Sequence, residues 1–165
     1  MSVILKGAPV VAAMNEANAA RCAALREKGV VPTLAVVRVG ARPDDLSYEK
    51  GVMARCAKVG VEVKQFLLPA DAAQEELLGV IACINADPAI HGCLLLRPLA
   101  DKAAEEAAGR LLSPDKDVDG MTTASLGALV TGAAGFAPCT AEAVTVLLES
   151  VSYTHLRAHE TGRNL

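Results

Sequence analysis

Apolar and polar positions along this chain fall into blocks of two periods. Residues 8–29, APVVAAMNEANAARCAALREKG, bring Val10, Val11, Met14, Ala17 and Cys22 or Leu25 onto one broad face at helical spacing, and Lys28 and Gly29 supply a basic last turn and a stop. PTLAVVRVG, 32–40, is a continuous Val-rich run between Pro32 and Gly40, which predicts a strand buried on both faces. ARPDD reads as a loop, and LSYEKGVMARCAKVG as a second helix stopped by Gly60. VEVKQFLL, 61–68, alternates and then turns apolar, a second strand. DAAQEELLGVIACINADP reads as a third helix, with Asp71 as N-cap and Glu75 or Glu76 in its first turn. IHGCLLL predicts a third buried strand and DKAAEEAAGRLL a fourth helix. An acidic knot follows at 114–120, then a Gly-rich stretch over 127–135 and a last helix from about Thr140.

Strands that alternate with helices of this length form βαβ units, and right-handed crossovers make their sheet parallel. The expected fold is α/β, a three-layer α/β/α domain with a mostly parallel sheet. Ligands of such sheets sit beyond the carboxyl ends of the strands. Three segments are predicted to converge there: VGARPDDLSY, RPLAD and DKDVDG. No GxGxxG follows any strand, so no dinucleotide site is encoded in these residues.

Composition narrows the partners. The 165 residues suffice for one domain, and the net charge of −3 with no basic face argues against nucleic acid. No apolar run approaches the roughly 18 residues of a membrane span. The first twenty residues lack a basic leader and are interrupted by Pro9 and Asn15, unlike a signal peptide. The five cysteines are widely spaced with no CxxC pair, and are expected to be reduced, mostly buried thiols of a cytoplasmic protein.

The acidic knot, PDKDVDG, holds Asp115, Lys116, Asp117 and Asp119 within seven residues. Three readings compete. It is a solvated turn, a magnesium site built from aspartates, or a carboxylate placed to accept from a ring that offers adjacent donors.

Four stretches, in order, favour the third reading: PTLAVVRVG followed eight residues on by Tyr48, IHGCLLLRPL, KDVDGMT, and PCTAEAV at the start of the last helix. Together they resemble the N-terminal, folate-binding domain of the bifunctional methylenetetrahydrofolate dehydrogenase/cyclohydrolase family, over about residues 3 to 149. The resemblance implies one-carbon chemistry, the oxidation of 5,10-methylenetetrahydrofolate to the methenyl form and its hydrolysis to 10-formyltetrahydrofolate. It implies tetrahydrofolate as substrate, NADP or NAD as cofactor held by a second domain, and a homodimeric parent enzyme. Asp119 is the position that holds the pterin edge, and Tyr48 the one that stacks on the ring. Val52, Leu96, Arg97, Pro98 and Pro138 complete the implied substrate-binding set.

Two positions depart from the family. Its lysine, four residues after the tyrosine, falls here on Val52, and the glutamine two residues before Pro98 falls on Leu96. Lys50 is no substitute, because two residues turn a helix by about 200°. Arg55, two turns on from Tyr48, and Arg97 could bring positive charge to the site. A guanidinium stays protonated and is a poor proton acceptor. Arg55 is therefore a catalytic candidate beside Tyr48 only as a cation. Cyclohydrolase activity is expected to be weak or to use another group. A folate-binding module without turnover is the alternative reading.

Composition changes again at Ser150. His155 and His159 are spaced i, i+4 but have no third ligand. Residues 150–165 resemble translated read-through. The expected organisation is a catalytic domain over 1–149, a non-native tail over 150–165, and no nucleotide-binding domain in this chain.

Overall fold

The computed structural model describes residues 6–150. Its centre is β1 (Thr33–Val39), which pairs in parallel with β2 (Glu62–Leu68) on one side and β3 (Gly92–Leu95) on the other, giving the order β2-β1-β3. Val37 is the hub of the register, opposite Phe66 of β2 and Leu95 of β3. Ala35, Val36 and Val37 have no exposed surface, so both faces of β1 are covered, as the unbroken apolar run predicts.

Alternate side chains of β1 serve different layers. Ala35 and Val37 join one core with Leu77, Ile81 and Ile84 of α3 (Gln74–Ala86) and Ala104 and Ala108 of α4 (Lys102–Leu111). Fully burying each of the two isoleucines stabilises the fold by about 1.5–3 kcal/mol. Arg38 points the other way, toward α2 (Pro43–Val59), and α2 packs against α1 (Gly7–Glu27). Two helices on each side of a parallel sheet make the expected α/β/α layering.

A charged anchor sits between β1 and α2. Arg38 Nε donates to Glu49 Oε2 at 2.6 Å, and both side chains are almost wholly buried. The Gln65 amide of β2 donates to the other Glu49 oxygen, and a second Arg38 nitrogen donates to the Gly40 carbonyl. With every charge satisfied, the network fixes how α2 is rotated on the sheet.

Several boundaries differ from the sequence expectation. α2 starts at Pro43, not Leu46: proline occupies the first turn, and Asp44 and Asp45 follow where the helix dipole favours acids. α3 starts at Gln74, not Asp71. Its N-cap is Ala73, whose N–H donates to Glu76 Oε2 at 3.0 Å, half of a capping box. The Gly-rich stretch over 127–135 overlaps a helix, α5 (Thr123–Thr131), capped by Thr122 and closed by Gly132 at φ 72°. α6 (Cys139–Glu149) follows. The apolar face expected on α1 is largely uncovered. Val11, Met14 and Leu25 are exposed, Cys22 alone is buried, and the face borders an apolar groove of about 540 Å³ shared with α6.

The cysteines also depart from expectation. All five are free thiols, but only Cys22 and Cys93 are buried, while Cys83 and Cys139 are exposed. His155 and His159 lie outside the described residues.

Candidate functional site

At the carboxyl ends of the strands the chain opens into a cleft of about 340 Å³. One wall is the start of α2, with Arg42, Asp44, Asp45 and Tyr48. The end of β3, running through Leu96 and Arg97 into Pro98 across a cis peptide bond, also lines the cleft, together with Asp119. The three segments predicted to converge do so here.

The acidic knot is built so that Asp117 works for the fold and Asp119 faces outward. Asp117 is fully buried and accepts from Met121 N at 3.0 Å, Thr122 N at 2.8 Å and Ser125 Oγ at 2.7 Å. Burial alone would raise its pKa, but these donors outweigh burial and hold the carboxyl below its usual range. With its oxygens so occupied, Asp117 offers nothing to a metal ion. Among the described residues no three His, Cys, Asp or Glu side chains are grouped to hold one. Lys116 Nζ donates to the carbonyls of Ile84 at 2.6 Å and Asp87 at 2.7 Å, tying the knot to the end of α3.

Gly120 explains how two sequence motifs meet. Its φ is +61°, and a Cβ there would sit 2.8 Å from both Ala137 C and Pro138 N. Only glycine lets the chain entering α6 at Ala137 and Pro138 lie against KDVDG. Pro138 therefore supports the knot from behind and does not line the cleft. Cys139, next in sequence, donates through Sγ to the Val118 carbonyl at 3.2 Å. Burial, with the negative charge of nearby Asp119, pushes its thiol pKa up.

Asp119 itself is met by Arg97, whose Nη2 lies 3.0 Å from Oδ2, with both side chains about one-third exposed. Arg42 grips Asp45 with two bonds of 2.8 Å, Nε to Oδ2 and Nη2 to Oδ1. The hydrogen bond from Arg42 lowers the Asp45 pKa, and the same bond raises that of Arg42. Neither pair was read from the sequence.

Tyr48 is 59% exposed over the cleft, not a core tyrosine. It also borders an adjoining hollow of about 670 Å³, lined by Asp44, Ser47, Gly51, Val52 and Arg55. Val52 and Arg55 thus share a face of α2 with Tyr48 but lie in this hollow, outside the cleft that holds Asp119. Leu96 is buried at the cleft wall, and Lys50 is exposed outside both spaces.

The sequence pattern described as the tetrahydrofolate dehydrogenase/cyclohydrolase catalytic domain matches residues 5–119. The chain is 42% identical over 152 residues to a bifunctional protein FolD of Alkaliphilus oremlandii, which covers 90% of this chain and 53% of that protein. It superposes with a TM-score of 0.87 on the bifunctional methylenetetrahydrofolate dehydrogenase/cyclohydrolase FolD of Campylobacter jejuni, at 31% identity, covering 91% of this chain and 54% of the other. A Trypanosoma brucei methylenetetrahydrofolate dehydrogenase-cyclohydrolase, solved with NADP cofactor and inhibitor, gives a TM-score of 0.84 at 28% identity, covering 92% of this chain and 52% of the other. The chain spans about half the length of the curated relatives it matches.

Proposed function

This chain belongs to the tetrahydrofolate dehydrogenase/cyclohydrolase family, and on that premise we propose that its cleft binds a tetrahydrofolate for oxidation of the 5,10-methylene bridge to the methenyl form. The observation that carries the proposal is that Asp119 and Tyr48 line one cleft at the strand ends. A pterin edge offers an exocyclic amine and a ring N–H side by side. A carboxylate accepts both, and charge-assisted bonds are about twice as strong as neutral ones. Arg97 reaches Asp119 through one nitrogen on one oxygen, so the carboxylate keeps acceptor capacity for a ligand. The exposed Tyr48 ring supplies a stacking face.

Hydride transfer needs a nicotinamide cofactor. The relative from T. brucei was solved with NADP, and the one from Saccharomyces cerevisiae is NAD-dependent. Among the described residues no Gly-rich turn joins a strand to a helix, so they offer no dinucleotide cradle. The part of this domain is to hold the folate and present its one-carbon bridge in a fixed orientation. Five free thiols support a reducing, cytoplasmic setting. Among the described residues no helix is long and apolar enough to cross a membrane.

A second reading, folate binding without turnover, is favoured by the apolar Val52 and Leu96. Calorimetric titration with a tetrahydrofolate analogue tests the binding that both share: saturable binding that Tyr48→Ala weakens supports it, and no binding contradicts it.

A further inference from the structure

Asp44 stands out among the groups around the proposed site. Three carboxylates line the cleft. Asp45 is engaged by both ends of the Arg42 fork, and Asp119 is paired with Arg97. Asp44 has no ion-pair or hydrogen-bond partner among the described residues, and it borders both the cleft and the adjoining hollow. It sits one turn before Tyr48 and two turns before Val52, so the three lie in a row along one face of α2. The other polar side chains facing these spaces are poor proton acceptors by type: Arg42, Arg55 and Arg97 are guanidinium donors, and Tyr48 offers only a phenol oxygen.

From this geometry we infer that Asp44 accepts the proton in hydrolysis of the methenyl bridge, a role open because Val52 and Leu96 carry no polar atom. The inference rests on the folate reading above. The methenyl bridge is cationic, so an unpaired carboxylate also attracts it and favours its formation as hydride leaves. In the step, water's oxygen bonds to the bridge carbon, the C=N π pair moves onto nitrogen, and water's proton passes to Asp44. The carbinolamine then breaks its bond to N5. Asp44 returns the proton to N5, and the hydroxyl proton leaves to solvent. The products are 10-formyltetrahydrofolate and one proton, so charge and atoms balance. No oxidant or reductant is consumed.

The test uses the full chain with 5,10-methenyltetrahydrofolate as substrate and a tetrahydrofolate analogue for affinity. Hydrolysis above the buffer rate is expected. Asp44→Asn should lower kcat on the order of 10²- to 10⁴-fold, the usual range for general base catalysis. Analogue affinity should stay within about threefold, a split that a folding defect would not produce. Asp44→Glu should restore part of the rate. Equal hydrolysis by Asp44→Asn, or analogue binding by the unaltered chain with no hydrolysis, overturns the role of Asp44 and leaves the folate reading standing. Absence of analogue binding overturns the folate reading and this inference together.

Discussion

Arg97 Nη2 lies 3.0 Å from Asp119 Oδ2, so the carboxylate read as the pterin anchor is already paired with a cation from the neighbouring strand end. The two residues are 22 positions apart and meet only because β3 and the acidic knot end at the same edge of the sheet. The pair is part-exposed and worth about 0.2–1 kcal/mol. Its value to the site is orientation of the carboxylate.

Replacing that cation should therefore have a modest effect. Arg97→Leu is expected to weaken binding of a tetrahydrofolate analogue by no more than about fivefold, in keeping with an exposed pair. The change should be smaller at high salt, where screening already weakens the pair. Calorimetry at two ionic strengths reads both.

The buried anchor beneath α2 should behave quite differently. Glu49→Ala leaves Arg38 and Gln65 facing an empty site and should destabilise the fold by about 3–5 kcal/mol. Arg38→Met combined with Glu49→Leu removes both charges and should recover most of that loss. Urea unfolding of the native protein and the two variants measures it, and a double variant no more stable than Glu49→Ala would show that the two side chains do not act as a pair.

Asp117 links stability to acid. Its folded pKa lies below the unfolded value, so the carboxylate contributes stability that is complete above the unfolded pKa, about pH 4, and is lost as pH falls through the lower folded value. The native protein should lose stability steeply below about pH 4. Asp117→Asn should be less stable at pH 7 and show a flatter decline. Thermal melts between pH 7 and pH 3 compare the slopes.

Thiol chemistry reports on the site without altering it. Cys93 is buried, and burial pushes its pKa up to about 12, so it should react last with a thiol reagent at neutral pH. Cys139 is exposed beside Asp119, and a bound folate analogue should slow its labelling while leaving Cys83 unaffected. Mass spectrometry of the labelled peptides distinguishes them.

Much of this arrangement is legible in the sequence because strand-helix alternation dictates which loops share an edge. The Val-rich run at 32–40 reads as a strand buried on both faces, and its alternation with helices places Tyr48 and the knot at the carboxyl end of the sheet. Short-range signals were harder to weigh. Pro43 followed by two aspartates is a helix start, yet among loop-forming residues it reads equally well as a turn. Thr122 and Gly132 bracket α5 as good caps, but Gly127 inside it masks the helix. The pairings Arg97–Asp119, Arg38–Glu49 and Arg42–Asp45 depend on side-chain direction in three dimensions. Periodicity cannot supply that. The same limit applies to Arg55, whose helical phase matches Tyr48 while its distance along α2 carries it into the adjoining hollow.

Asp119 is the pterin anchor of the proposed site, and calorimetric titration of a tetrahydrofolate analogue into the native chain and Asp119→Asn tests that role. Hydrogen bonds to a charged group contribute about 1.5–3 kcal/mol, so the account predicts an affinity loss of roughly 10- to 150-fold with unchanged thermal stability. Equal affinity in the two proteins would contradict it.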